Sequence, residues 1–333
     1  MSAPDFLLLR HGEARRLLSS ADAIAAIEAA WHDYGHQRQV LSRPSSMGMG
    51  GGGAVFKIKG GILTGQGVAG FRLVADHWDT AGRELTEDWF WLADPATGRP
   101  LALIEEFGLH CLRTAVTGAV AAGLLAKPGT RSLGLVGAGQ IARELLEPLR
   151  QVLPGLERVR VSSRRLASAE DFARRYTIPG LVVEAVATPE EAVAGADLVM
   201  TLSAAELPFL RPEHLAPGAT VIGMGGDAEL DASVLGWADR FVVDDMDFAC
   251  VAGSVAGWLK SGALTREAVV ARLDADIGEV AAGLKPGRRA AGENVVAIIQ
   301  GMAVCDLALA TLAWRHARAS GAGQSLPLGE AAP

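Results

Sequence analysis

Leu133-Gly134-Leu135-Val136-Gly137-Ala138-Gly139-Gln140-Ile141-Ala142 is an apolar strand pattern running into a glycine turn. Its second half is the G-x-G-x-x-A sequence by which a strand passes sharply into a helix beside a pyrophosphate. Gly137 allows the turn, Gly139 removes the side chain that would block phosphate oxygens, and Ala142 lets the helix lie on the sheet. The first N–H groups of that helix then face an anion. A helical stretch over 144–152 and a second strand over 158–163 follow, which is the context the motif requires.

Downstream, strands expected at 133–136, 159–163, 181–184, 198–202, 220–224 and 240–243 alternate with helices. That rhythm predicts an α/β fold, a Rossmann-type doubly wound parallel sheet over 116–299. Upstream, residues 6–40 carry apolar side chains at helical spacing (Ile24, Ile27, Ala30, Trp31), with Ser20 and Asp22 as capping candidates. Residues 55–59, 71–75 and 89–93 alternate as strands of an antiparallel sheet, and 107–125 reads as a helix. A last helix is expected over 294–320, packed back on the N-terminal region. The chain therefore divides into a discontinuous α+β domain (1–115 and 300–325), a dinucleotide-binding domain (116–299) and a disordered tail (326–333).

Half of the 333 residues are hydrophobic, enough for two cores. Acidic residues outnumber basic ones 38 to 31, and no basic stripe is interleaved with aromatics, so nucleic acid is not an expected partner. Cys111, Cys250 and Cys305 are odd in number and widely spaced, and they read as reduced core residues rather than a disulfide frame or a metal site. No basic region followed by an apolar run marks a signal peptide, and the apolar run 115–126 is too short to span a bilayer. A cytoplasmic protein without a membrane partner is expected.

The end of the second strand distinguishes NAD from NADP, because a carboxylate there accepts the ribose hydroxyls and repels a 2′-phosphate. This chain has Ser162-Ser163-Arg164-Arg165 and no acid before Glu170. Hydroxyls and guanidinium groups suit a phosphate, which favours NADP(H), with NAD(H) second. The expected cofactor set is Gly137, Ala138, Gly139, Gln140 and Ile141 at the turn, Ser162, Ser163 and Arg164 beyond it, and Thr201, Ser203, Met224 and Gly225 at later strand ends.

Three segments in this order resemble the ornithine cyclodeaminase/mu-crystallin family. They are Leu112-Arg113-Thr114-Ala115-Val116-Thr117-Gly118-Ala119-Val120-Ala121-Ala122, the glycine turn, and Gly223-Met224-Gly225-Gly226-Asp227-Ala228-Glu229-Leu230-Asp231. G-L-K-P-G-R at 283–288 and G-M-A-V-C-D-L at 301–307 fit as well. The resemblance implies a homodimer in which the antiparallel domain binds substrate and mediates dimerisation. It also implies chemistry through an imine made or consumed by hydride transfer at an amino-acid α-carbon.

By the same resemblance, Arg113 would grip a substrate carboxylate and Thr114 would sit beside the cofactor. Asp227, at the carboxyl end of a parallel strand, would pass a proton, unless it only caps a helix start. Other positions depart from the family. Arg72 in Gly70-Phe71-Arg72-Leu73-Val74 stands where the family has a lysine, and an arginine binds anions but is a poor acid or base. Lys57 and Lys59 share one strand face where the family has an apolar pair. Either takes over the proton role or reads a second anionic group, or both form a solvated edge. Arg43 matches the family's first substrate arginine.

These readings favour an NAD(P)H-dependent reductase acting on the imine of a small α-keto acid. Arg43, Arg72, Arg113, Lys57 and Lys59 would draw an anionic amino, imino or keto acid. The alternatives are an ornithine cyclodeaminase-type lyase with internally recycled NAD and a non-catalytic NADPH-dependent binding protein.

Overall fold

A computed structural model of the chain describes residues 6–10, 12–42, 45–48, 54–78 and 84–328. Two compact units are present: Met1–Arg113 with Ala303–Pro333, and Thr114–Met302.

In the second unit eight parallel strands form one sheet. Their order is Val182–Ala185, Arg158–Ser162, Ser132–Val136, Leu198–Thr201, Thr220–Gly223, Val295–Ile298, Arg240–Val243, Ala275–Asp276. Four of them, Leu198–Thr201, Thr220–Gly223, Arg240–Val243 and Val295–Ile298, are buried along their whole length, as parallel strands covered on both faces must be. Helix Gln140–Val152 buries Ala142, Leu145, Leu146 and Leu149. From Ser132–Val136 the chain builds outward in one direction, then returns to Leu198–Thr201 on the other side. The crevice at the carboxyl ends of these two strands is the topological switch point, where doubly wound sheets take their ligands.

One expectation fails in this sheet. Residues 295–298 are a strand, and the last helix begins only at Ala303. Val-Val-Ala-Ile is a short apolar run whose period cannot separate helix from strand. Its β-branched side chains fill a slot between Thr220–Gly223 and Arg240–Val243, buried on both faces.

In the first unit the sheet order is Gln324–Leu326, Phe6–Leu9, Pro100–Glu105, Glu84–Ala93, Val68–Trp78, Val55–Leu63, Gln39–Leu41, with Ser45–Gly48 also paired to Val55–Leu63. All pairings are antiparallel except Phe6–Leu9 with Pro100–Glu105. Helix Ala303–Ser320 packs on helix Ser20–Gly35 and on strands Val55–Leu63 and Val68–Trp78.

Four details differ from the sequence reading of this unit. Phe6–Leu9 is a strand rather than part of a helical region. Gln324–Leu326 completes a ladder on that strand, so Leu326 is ordered instead of opening a tail; residues 329–333 lie outside the described residues. Ser19, not Ser20 or Asp22, caps helix Ser20–Gly35, its Oγ accepting the Asp22 N–H at 3.1 Å. Cys305 is buried, whereas Cys111 and Cys250 are only partly so. Among the described residues no helix is long and apolar enough to cross a membrane.

Candidate active site

In the second unit Gly137 has φ +112°, and a Cβ there would lie 2.5 Å from the Leu202 carbonyl oxygen, so both backbone angle and space demand glycine. Gly139 starts helix Gln140–Val152 without a side-chain cap, and no acid occupies the first turn. The helix's leading N–H groups are thereby left for an anion. A Cβ on Gly139 would meet nothing within 4 Å and would point into open space.

A cavity of about 730 Å³ opens at this turn, bordered by Gly137, Ala138, Gly139 and Gln140 on one side and by Ser162, Ser163, Arg164 and Arg165 on the other. Ser203 and Arg143 also line it; among the described residues no Asp or Glu does. Ser162 is buried and its hydroxyl has no hydrogen-bond partner among the described residues. An unmet buried hydroxyl costs about 1–3 kcal/mol, which an acceptor or donor atom of a ligand in this cavity would relieve. The turn, the uncapped helix start and this hydroxyl fit a dinucleotide.

Of the other expected cofactor residues, Ser203 lines the cavity, whereas Thr114, Ile141, Thr201, Met224 and Gly225 do not. Thr114 is buried, with a hydroxyl that has no partner among the described residues. Met224 packs against Gly118. Thr201, Ser203 and Gly225 converge on Glu229, a residue the sequence reading passed over. The Thr201 hydroxyl donates to its carboxylate at 2.7 Å, the Ser203 N–H at 2.6 Å and the Gly225 N–H at 2.8 Å. Burial raises the Glu229 carboxyl above the ordinary glutamate value against the pull of these donors. Glu229 thus ties together the ends of strands Leu198–Thr201 and Thr220–Gly223, next to the cavity wall at Ser203.

Asp227 is partly exposed. Its Oδ1 accepts the Gly253 N–H at 3.0 Å and its Oδ2 pairs with Lys260. It therefore holds the start of helix Gly253–Lys260 and caps no helix in its own segment.

The first unit gathers most of the other candidates around an aspartate. Strand register sets Lys59 opposite Arg72. Asp306, in the first turn of helix Ala303–Ser320 and fully enclosed, pairs with Lys59 Nζ at 2.6 Å and Arg113 Nε at 2.7 Å. Burial alone would raise its carboxyl, but Arg113, Lys59 and Arg72 hold it well below the ordinary carboxylate range. Arg72 is engaged elsewhere: Nε pairs with Glu106 at 2.6 Å and Nη2 with Asp88 at 2.9 Å. Burial and then the neighbouring Glu106 push the Asp88 carboxyl up to about 7, with Arg72 opposing. His110 Nδ1 lies 3.0 Å from Arg113 Nη2; a guanidinium only donates, so this nitrogen accepts. Burial lowers the His110 pKa, and both arginines add to the effect against Glu106.

The two lysines separate. Lys59 is 13 % exposed within this cluster, whereas Lys57 is 57 % exposed and pairs with Asp76 at 2.5 Å. Arg43 lies outside the described residues. The positive charge read from the sequence is also nearly cancelled, since Lys59, Arg72 and Arg113 face Asp306, Glu106 and Asp88. Sequence reasoning missed these three acids. For Asp306 a signal existed: a lone aspartate within an apolar helical run is buried only when paired.

A model of the ornithine cyclodeaminase/mu-crystallin family matches residues 7–321. An uncharacterized cyclodeaminase y4tK of Sinorhizobium fredii is 30 % identical over 336 residues, covering 96 % of this chain and 98 % of that one. An archaeal alanine dehydrogenase dimer with bound NAD superposes with a TM-score of 0.88 at 27 % identity, covering 97 % and 99 % of the two chains. The iminosuccinate reductase of Paracoccus denitrificans in complex with NAD+ gives a TM-score of 0.84 at 25 % identity over 97 % and 100 %.

Proposed function

Because the chain belongs to the ornithine cyclodeaminase/mu-crystallin family, we propose that it is an NAD(P)H-dependent reductase of the imine of a small α-keto acid. The observation that carries this reading is the gathering of Arg113 and Lys59 on Asp306 in the first unit. A guanidinium fixed by a buried carboxylate is an oriented clamp for a substrate carboxylate, and Arg113 takes that role. Arg72, held by Glu106 and Asp88, supports the clamp rather than reading a second acidic group. One carboxylate on the substrate suits a cluster whose charges already nearly balance.

In the second unit, residues 137–140 hold the pyrophosphate and Ser162, Ser163, Arg164 and Arg165 hold the adenosine ribose. With no carboxylate among the described residues that line the cavity, and with the guanidinium groups of Arg143, Arg164 and Arg165 there, NADP(H) is preferred to NAD(H). When bound, the reduced nucleotide supplies the hydride for the imine carbon. As in the alanine dehydrogenase named above, the working assembly is a dimer.

The test follows nucleotide absorbance while α-keto acids are offered with ammonia or primary amines. Oxidation of NADPH, faster than that of NADH, together with formation of the matching amino acid supports the reading. Ammonia release from ornithine with no net change in nucleotide would overturn it.

A further inference from the structure

An imine carbon takes up hydride readily only when its nitrogen carries a proton, so the reaction needs an acid. Resting on the reductase reading above, we propose that Lys59 Nζ is the acid that protonates the imine nitrogen. Lys59 is the one buried ammonium among the described residues that stands beside Arg113, both being held by Asp306. A substrate whose carboxylate lies on Arg113 therefore brings its α-nitrogen to the same group of charges.

The surroundings also make this ammonium willing to release a proton. Burial lowers its pKa from the ordinary lysine value; Asp306 opposes this, and Arg113 and Arg72 reinforce it. The charged groups facing it are Asp306 from helix Ala303–Ser320, Arg113 from helix Leu109–Leu125 and Arg72 from the adjacent strand, with Glu106, Asp88 and His110 behind the two guanidinium groups.

Other groups fit the task less well. Lys57 is exposed and bound to Asp76. Asp227 has both oxygens engaged by donors, which makes it an acceptor. His110 accepts from Arg113 and is disfavoured as a cation. Arg72 and Arg113 do not give up protons at working pH.

In the step itself one N–H bond of the Lys59 ammonium breaks and an N–H bond forms at the imine lone pair. Lys59 is left as a neutral amine and the substrate as an iminium ion. The iminium carbon is then ready for the hydride that a bound reduced nicotinamide nucleotide would supply, a two-electron reduction to the amine, and water returns a proton to Lys59.

The experiment compares wild type with Lys59→Arg, which keeps the ion pair to Asp306 but cannot readily lose a proton. Two substrates are made from one keto acid. A primary amine gives an imine that needs a proton, and a secondary amine gives an iminium that carries its charge already. Lys59→Arg is expected to lower kcat on the first by at least ~100-fold and on the second by only a few-fold. With imines alone, the wild-type rate falls as pH rises through the Lys59 pKa, and that alkaline limb disappears in Lys59→Arg. Equal loss on both substrates, no loss on either, or an alkaline limb that persists would overturn the assignment. A wild type that reduces no imine at all instead fails the reductase reading, a separate result.

Discussion

Lys59 and Arg72 stand opposite each other on neighbouring antiparallel strands, yet each turns to a different acid. Lys59 pairs with Asp306 on the closing helix, and Arg72 pairs with Glu106 and Asp88. Two like charges on adjacent strands are thereby held largely buried, each neutralised by its own acidic partners. The arrangement leaves one guanidinium, Arg113, sharing Asp306 with the lysine.

Asp306 neutralises both cations, so Asp306→Asn leaves them uncompensated. Breaking a buried pair this way costs about 3–5 kcal/mol, and chemical denaturation should show a loss of that size. The carboxylate's contribution is present above its unfolded value of 3.8 and disappears as pH falls toward its lower folded value. A loss under ~1 kcal/mol would show that Asp306 does not anchor the cluster.

Asp88 gives the opposite pH sign. Its pKa is about 7 in the folded chain against 3.8 in its ordinary state. Between these values the folded chain keeps a proton that the unfolded chain has released, so stability falls as pH rises through this window. Asp88→Asn, which can still accept from Arg72, should flatten that decline in denaturation midpoints measured from pH 4 to 7. An unchanged slope would show that Asp88 does not titrate there.

Two glycines of the turn should respond differently. A Cβ on Gly139 meets nothing within 4 Å, so Gly139→Val should cost no more than about 1 kcal/mol, the loss of a better helix start. Nucleotide titration by fluorescence should nevertheless show binding lost. Gly137→Ala meets the Leu202 carbonyl and an unfavourable backbone angle, and should cost ~1–3 kcal/mol in folding. Tight nucleotide binding by Gly139→Val would remove the turn from the cofactor site.

Arg164 should set the choice of nucleotide. Hydrogen bonds to a charged group are worth roughly 1.5–3 kcal/mol, so Arg164→Glu should lower the NADPH-to-NADH ratio of kcat/KM roughly 10- to 100-fold. The same ratio in wild type and variant would place the 2′-phosphate elsewhere.

The doubly wound sheet was legible because its strands are short apolar runs and the glycine turn marks a switch point. Val295–Ile298 was not legible as a strand, since an apolar run of that length carries no distinguishing period. In the candidate site, Arg113, Arg72 and Lys59 were named from type and position, and the structure gathers them in one charged cluster. Their partners could not be named so: Asp306, Glu106 and Asp88 meet them through strand register and helix packing between segments far apart in the chain. Alternation put Lys57 and Lys59 on one face, but only packing by helix Ala303–Ser320 buried the second and left the first in solvent. Thr201, Ser203 and Gly225 were read as cofactor residues from their strand-end positions, whereas their backbone and hydroxyl donors serve Glu229.

The balance between nucleotide and amine in a single wild-type reaction tests imine reduction most sharply. NADPH, a small α-keto acid and a primary amine or ammonia are mixed, and nucleotide oxidation and product formation are measured together. One amino acid formed per NADPH oxidised is the expected result. Ornithine converted with release of ammonia and no net oxidation would contradict it.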